Sequence, residues 1–247
     1  VPSGRVPAGL AVVGPVAVDS AAVGLTAVDL GPGVAAGFTG RRAGDLQDVW
    51  ARARLAAELG APLVFAHQVH GNRVLPVSAA SPTAAEGDAL ITADAGVALG
   101  VLVADCVPVL LADPVVGLIA TAHAGRAGTL SAVVGQTVAA MVEAGGLPAR
   151  MRAAIGPAIC GRCYEVPAEM AAAFLAHEPA AASTTSWGTP ALDLPRAVEQ
   201  QLRRAGVGAV QRSTICTRED AGCFSHRRAT AAGRSTGRQA GIILRSQ

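Results

Sequence analysis

The sequence predicts an α+β fold, a mixed α/β sandwich whose mixed β-sheets are flanked by helices in a single domain. Two aliphatic runs, Val97–Ala104 and Val107–Leu111, have the near-continuous apolar composition of strands buried on both faces. Several stretches of helical periodicity lie among these and other strand-like runs. The alternation has no regular βαβ rhythm and no internal repeat, which favours a mixed architecture over a doubly wound parallel sheet or a solenoid.

Residues 1–9 hold two Pro and two Gly and read as a loose lead-in to a domain spanning 10–247. Asp45 to Leu59 places Leu46, Val49, Leu55 and Leu59 on one helical face, and Gly60 and Pro62 close it. Leu63–Val69 reads as a strand that delivers His67 and His70 near its end. After the two aliphatic runs, Asp113-Pro114 marks a turn and Val115–Ala122 the next strand, so that His123 stands at a strand-to-helix junction. A helix follows from about Thr129 to Glu143, stopped by Gly145-Gly146. Met151–Ile155 reads as a strand, Pro167–His177 as a helix opened by Pro, and Asp193–Ala205 as a helix capped by Asp193 with Pro195 in its first turn. Ala209–Ile215 is the last expected strand, before an Arg-rich tail.

With 51% hydrophobic and 15% charged residues, the chain excludes disorder, and 247 residues suffice for a substantial core. The net charge of +2 is too mild to imply nucleic acid or membrane as a partner. From Arg212 onward seven Arg oppose only Glu219 and Asp220, which reads as a solvated cationic face or as a lobe for an anionic substrate. The most apolar stretch, Val97–Ala112, is shorter than a bilayer span and holds Asp105 and Pro108, so a buried strand pair is expected there rather than a membrane helix. No secretory leader is apparent and a cytoplasmic protein is expected. Five Cys, an odd number in a chain this large, point to reduced thiols with chemical roles. The sequence gives no oligomeric state.

A catalytic zinc takes three protein ligands and keeps a fourth position open. His70, Cys106 and His123 each lie at the edge of buried structure, but there is no HExxH and no paired CxxC array. Taken singly, Cys106 reads rather as a small core residue, and each His rather as a turn or capping residue. Cys160 and Cys163 form a CxxC that fits a second metal or a redox pair, without recognisable partners to complete a site.

The segments His67-Gln68-Val69-His70-Gly71, Gly87–Thr92, Leu99–Leu111 with its Ala104-Asp105-Cys106, Thr121–Gly125 and Ile155–Val166 resemble, in order, the blocks of one family. So do Phe224–Arg228 and Thr236-Gly237-Arg238. It is the family long labelled polyphenol oxidases or laccase-domain proteins and now read as purine nucleoside phosphorylases, with a branch implicated in peptidoglycan editing. The resemblance implies that His70, Cys106 and His123 hold a metal and carry the catalysis, with zinc as the ion and copper as the alternative. It implies phosphorolysis of adenosine, inosine and methylthioadenosine and deamination of adenosine, so that the partners are a purine nucleoside and phosphate. One thiolate and two neutral imidazoles leave zinc a net charge of about +1, enough to acidify water at its open position. Phosphate needs cations, for which Arg41, Arg227 and Arg238 are the candidates. Asp105, next to the ligand Cys, is assigned either an orienting or a purely structural role.

Two departures bear on the pocket. The family's HAGWRG block is His123-Ala124-Gly125-Arg126-Ala127-Gly128 here, without the Trp and with Arg one position early, and the Gly-rich loop after Arg41 is shortened to Arg42-Ala43-Gly44. A multicopper oxidase needs more imidazoles than five His supply. The remaining alternatives are a cysteine hydrolase with Cys106 as nucleophile and His123 as base, which includes a role on peptidoglycan precursors, and a degenerate metal-binding module.

Overall fold

The computed structural model describes residues 24–82 and 85–246. The lead-in expected at residues 1–9 lies outside them. In chain order, β1 (Leu25–Ala27) and β2 (Val34–Thr39) precede α1 (Val49–Leu59). Then come β3 (Leu63–Phe65), β4 (Val74–Pro76), β5 (Ala89–Thr92), β6 (Ala98–Val103), β7 (Val107–Asp113) and β8 (Leu118–Ala124). They are followed by α2 (Arg126–Leu130), α3 (Val133–Glu143), β9 (Arg152–Ile155), α4 (Ala168–Leu175) and the ribbon β10 (Ala182–Thr184) with β11 (Pro190–Leu192). Last are α5 (Leu194–Arg204), β12 (Ala209–Arg212), α6 (His226–Ala231) and β13 (Gln239–Arg245).

The strands form a five-stranded sheet, order β1-β2-β13-β6-β3, and a six-stranded sheet, order β12-β9-β7-β8-β5-β4. Both are mixed, as the sequence predicts. Phe38, Val64, Leu99, Val101 and Ile243 of the first pack against Leu75, Leu90, Leu110, Ile119 and Ala154 of the second, making the inter-sheet core. On the far side of the five-stranded sheet, Ala98, Ala240 and Ile242 meet Leu55 and Leu59 of α1. On the far side of the six-stranded sheet, Val109, Leu111 and Ala120 meet α3 and α5 through Val134, Met141, Val198 and Leu202. Both sheets are thus covered on both faces, which is why their strands read as unbroken aliphatic runs. Each fully buried Leu or Ile here contributes about 1.5–3 kcal/mol.

Both expected aliphatic strands form and are buried, and the topology places β6 in one sheet and β7 in the other. Ala104-Asp105-Cys106 is the crossing between layers, with Asp105 at φ 88°. Several element boundaries also move. The α1 helix starts at Asp48, whose side chain accepts the Trp50 N–H, rather than at Asp45, and Gly60 ends it at φ 65°. Asp113 accepts the Val115 N–H, and the resulting turn delays β8 to Leu118, so that His123 falls inside the strand. The single helix expected from Thr129 starts earlier and breaks at Ala132, φ 56°. The carbonyls of Ser131 and Thr129 at the break accept from Asn72 and Gln201.

The largest correction concerns the Arg-rich tail. Gln239–Arg245 is not a solvated face but a strand paired with both β2 and β6, buried up to Leu244. Arg228 is also structural, donating to the carbonyls of Thr217, Arg218, Asp220 and Cys223.

Asp113 locks β7 to the end of α3. Its buried carboxylate accepts from the Leu147 N–H (2.9 Å), the Val115 N–H (3.1 Å) and the Arg150 guanidinium (3.0 and 3.1 Å). Burial alone would raise its pKa, but these donors outweigh it and hold the carboxyl below its ordinary value. A depressed folded pKa stabilises fully above the unfolded value of about 3.9 and is lost as pH falls through the folded value. Asp113→Ala is therefore expected to cost about 2–3 kcal/mol at neutral pH. In urea titrations the gap from wild type should narrow as pH falls below about 4; a gap independent of pH would show that packing, not charge, is lost.

Candidate metal centre

Strand direction brings the three metal-ligand candidates to one end of the sandwich. The loop after β3 leaves the same end as β6, because the two strands are parallel. The crossing at Cys106 starts from that end, and β8, antiparallel to β7, returns His123 to it. One donor atom from each of His70, Cys106 and His123 lies within 4.8 Å of the others. Cys106 Sγ is 3.9 Å from His70 Nε2, and the two imidazoles meet edge to face at 4.7 Å between centroids.

The group that orders this cluster is Asp88, just before β5, which carried no assigned role in the sequence reading. Its buried carboxylate accepts the N–H groups of Val69 (3.2 Å), His70 (2.9 Å) and Gly71 (2.7 Å), and pairs with His123 Nδ1 at 2.8 Å. Its own carbonyl accepts the His123 N–H. A carboxylate only accepts, so Nδ1 of His123 carries the proton and Nε2 is left for a metal. The same contacts stabilise His70 at φ 63°, a left-handed conformation that costs a non-glycine residue about 1–2 kcal/mol. The recognisable signal was an Asp between Gly87 and an apolar strand; what it would bind was not.

The electrostatics favour a thiolate beside a protonated His123 ring, which gives up its Nε2 proton on binding a metal. Burial would push the Cys106 thiol up, but the hydrogen bonds and charges of His123 and His70 outweigh it and bring it down to about 6. Burial would likewise lower His123, but its bonds to Asp88 and Cys106 raise it to about 9. Burial alone would push Asp88 up as well, yet the His123 bond and the Gly71 and Val69 amides hold it below its ordinary value. The backbone is shaped to the cluster too: a Cβ on Gly125 would come within 2.9 Å of His70 Cδ2 and 3.1 Å of Cys106 Sγ. One soft thiolate and two imidazoles, one of them anchored by a carboxylate, form a donor set that fits zinc.

This cluster borders a cleft of ≈ 780 Å³. Its walls include Phe65, Leu102 and Val103, with His67, His226, Arg52 and Arg238 as polar groups. Among the three arginines proposed from the sequence, Arg238 lines the cleft. Arg41 stacks over Phe224 and donates to the Cys223 carbonyl, and Arg227 donates to the Glu165 carbonyl beside the Tyr164 ring. Arg126, the residue at the altered block, also lies against Tyr164. Arg52, on α1, is a cleft cation that helical periodicity marked only as a polar position. Asp105 accepts the Thr217 hydroxyl and the Arg227 N–H, both at 2.6 Å, so it fastens the inter-sheet crossing to the start of α6. No helix among the described residues is long and apolar enough to cross a membrane.

Comparison with known proteins identifies the family. The family described as multi-copper polyphenol oxidoreductase laccase matches residues 39–246. A purine nucleoside phosphorylase of Streptomyces coelicolor is 53% identical over 185 residues, 74% of this chain and 75% of the relative. A purine nucleoside phosphorylase of Streptomyces griseus is 48% identical over 200 residues, 78% and 79% of the two chains. Among solved structures, YlmD from Geobacillus stearothermophilus superposes with TM-score 0.76 at 33% identity over 87% of this chain and 93% of that one. A Neisseria meningitidis protein superposes with TM-score 0.77 at 29% identity over 91% and 100%. Matched along most of its length in sequence and in fold, the chain belongs to the multi-copper polyphenol oxidoreductase laccase family.

Proposed function

We propose that the protein is a zinc-dependent purine nucleoside enzyme that cleaves adenosine, inosine and methylthioadenosine with phosphate and also deaminates adenosine. The observation that carries this reading is the convergence of His70, Cys106 and His123, anchored by Asp88, on a cleft with room for a nucleoside and phosphate in a chain whose close relatives are named purine nucleoside phosphorylases. His70, Cys106 and His123 would hold the zinc, which would supply Lewis-acid chemistry at the cleft.

In phosphorolysis a phosphate oxygen attacks C1′ of the ribose as the C1′–N9 bond breaks, giving ribose 1-phosphate and the free purine. Arg238 and Arg52, both lining the cleft, orient the phosphate dianion by charge-assisted hydrogen bonds. His67 and His226, which also line the cleft, are the candidates to give a proton to the departing purine. Phe65, Leu102 and Val103 exclude water around the base. Arg41 and Arg227, which are not among the residues lining the cleft, donate to the Cys223 and Glu165 carbonyls instead.

A second reading has one observation in its favour: Cys106, His123 and Asp88 stand in the order of a nucleophile, a base and an orienting carboxylate. A cysteine hydrolase would work after metal removal, whereas the zinc enzyme would not. Phenol oxidation is not expected, since the cluster holds only two imidazoles. Chromatography of adenosine incubated with and without phosphate tests the reading: adenine is expected only with phosphate, and inosine in either case. No product from zinc-loaded protein at high concentration would overturn it.

A further inference from the structure

Away from the cleft, the CxxC noted in the sequence acquires the partners that spacing alone could not name. The loop after β9 carries Cys160 and Cys163, and the loop after β12 carries Cys216 and Glu219. β9 and β12 are parallel neighbours, and a bridge between Ala158 and Cys216 continues their pairing into the two loops. Each loop turns so that its first and fourth residues face the same point. The Cys163 and Tyr164 N–H groups bond the Cys160 carbonyl, and the Glu219 and Asp220 N–H groups bond the Cys216 carbonyl. The result is a pair of similar knuckles, one offering two thiols and the other a thiol and a carboxylate.

We propose that Cys160, Cys163, Cys216 and Glu219 form a second metal site, closed and structural, that takes zinc. The four donor atoms all lie within 4.8 Å of one another. Cys163 Sγ is 3.4 Å from Glu219 Oε1, close to the edge of about 3.5 Å that Zn–S and Zn–O bonds of ordinary length make in a tetrahedron. The Cys160 N–H points at Cys216 Sγ at 3.4 Å, the backbone donation that steadies a thiolate ligand. Three thiolates and a carboxylate around a divalent ion carry a net charge of −2. Arg162, 3.8 Å from Glu219 Oε2, offsets part of it. Soft sulfur donors select zinc over magnesium or calcium, and on binding the thiol protons pass to solvent. All five Cys are free thiols in this structure, so none is committed to a disulfide.

None of the four ligands lines the cleft, yet the site steadies its wall. Thr217, next to Cys216, donates to Asp105 at the inter-sheet crossing, and Arg228 gathers the carbonyls of Thr217, Arg218 and Asp220. A metal there would tie the start of α6, with His226, to the crossing that carries Cys106.

The test is metal stoichiometry on the full chain, which does not depend on the nucleoside reading. Wild type purified from zinc-containing medium is expected to hold two zinc per chain. Cys106→Ser should keep one, and its cobalt form should show the intense sulfur-to-cobalt charge-transfer absorption of a multi-thiolate tetrahedral site. Cys160→Ser and the exposed Glu219→Gln should each weaken that remaining site at least tenfold in chelator competition. If the double-cysteine loop does not tolerate substitution, cobalt titration of the metal-stripped wild type decides: two equivalents support the site and one refutes it. A cobalt-free Cys106→Ser chain, or a disulfide among Cys160, Cys163 and Cys216, would also overturn the proposal.

Discussion

Cys106→Ser is expected to remove one equivalent of zinc and to abolish nucleoside cleavage while leaving the fold intact. The thiolate is the only anionic donor of the three at the cleft, and a serine hydroxyl remains protonated at neutral pH, so the site loses both a ligand and a charge. The loss of zinc affinity should exceed the 10–100-fold typical of removing an outer partner of a ligand, as estimated from other metal sites. The circular dichroism spectrum should persist, because Cys106 packs only against the margin of the inter-sheet core, serine is of similar size, and a chain of this length needs no metal to fold. Metal analysis after dialysis checks the first claim, and full zinc retention would refute the ligand assignment. A strong chelator should abolish wild-type activity as well. Activity that survives chelation but vanishes in Cys106→Ser would instead establish the cysteine-nucleophile reading.

Asp88→Asn should be nearly as damaging although Asp88 is not a ligand. Asparagine keeps one acceptor oxygen and gains two donors, which would face N–H groups at His70, Gly71 or His123. Two things fail together: His123 loses the partner that fixes its tautomer, and the left-handed turn at His70 loses the carboxylate that collects its N–H groups. Zinc affinity should fall about 10–100-fold, and unfolding free energy by about 2–4 kcal/mol from the buried groups left unpaired. Competition with a chromogenic chelator and urea unfolding measure the two effects. An Asn variant with unchanged affinity would mean that Asp88 merely supports the loop.

The layered architecture was legible along the chain because burial on both faces writes itself into composition: Val97–Ala104 and Val107–Leu111 could be little else than interior strands. The helices α4 and α5 were likewise marked by Pro167, Asp193 and Pro195 at their starts, since capping is a local interaction. The proposed ligand set His70, Cys106 and His123 was reached through resemblance, because three residues on three separate segments leave no local pattern. Other features have no local cause at all. Gln239–Arg245 is a central strand because β2 and β6 supply hydrogen bonds on both its edges, which nothing in its own Arg- and Gly-rich surroundings reveals. Asp88 commands the centre because β5 lies beside β8 and below the His70 loop, so one carboxylate meets donors from two distant segments. Cys160 and Cys163 gain Cys216 and Glu219 because β9 and β12 run in parallel and release their loops at the same edge. Periodicity and capping act over a few residues and are written in the sequence, whereas strand neighbours are chosen by the packing of the whole chain.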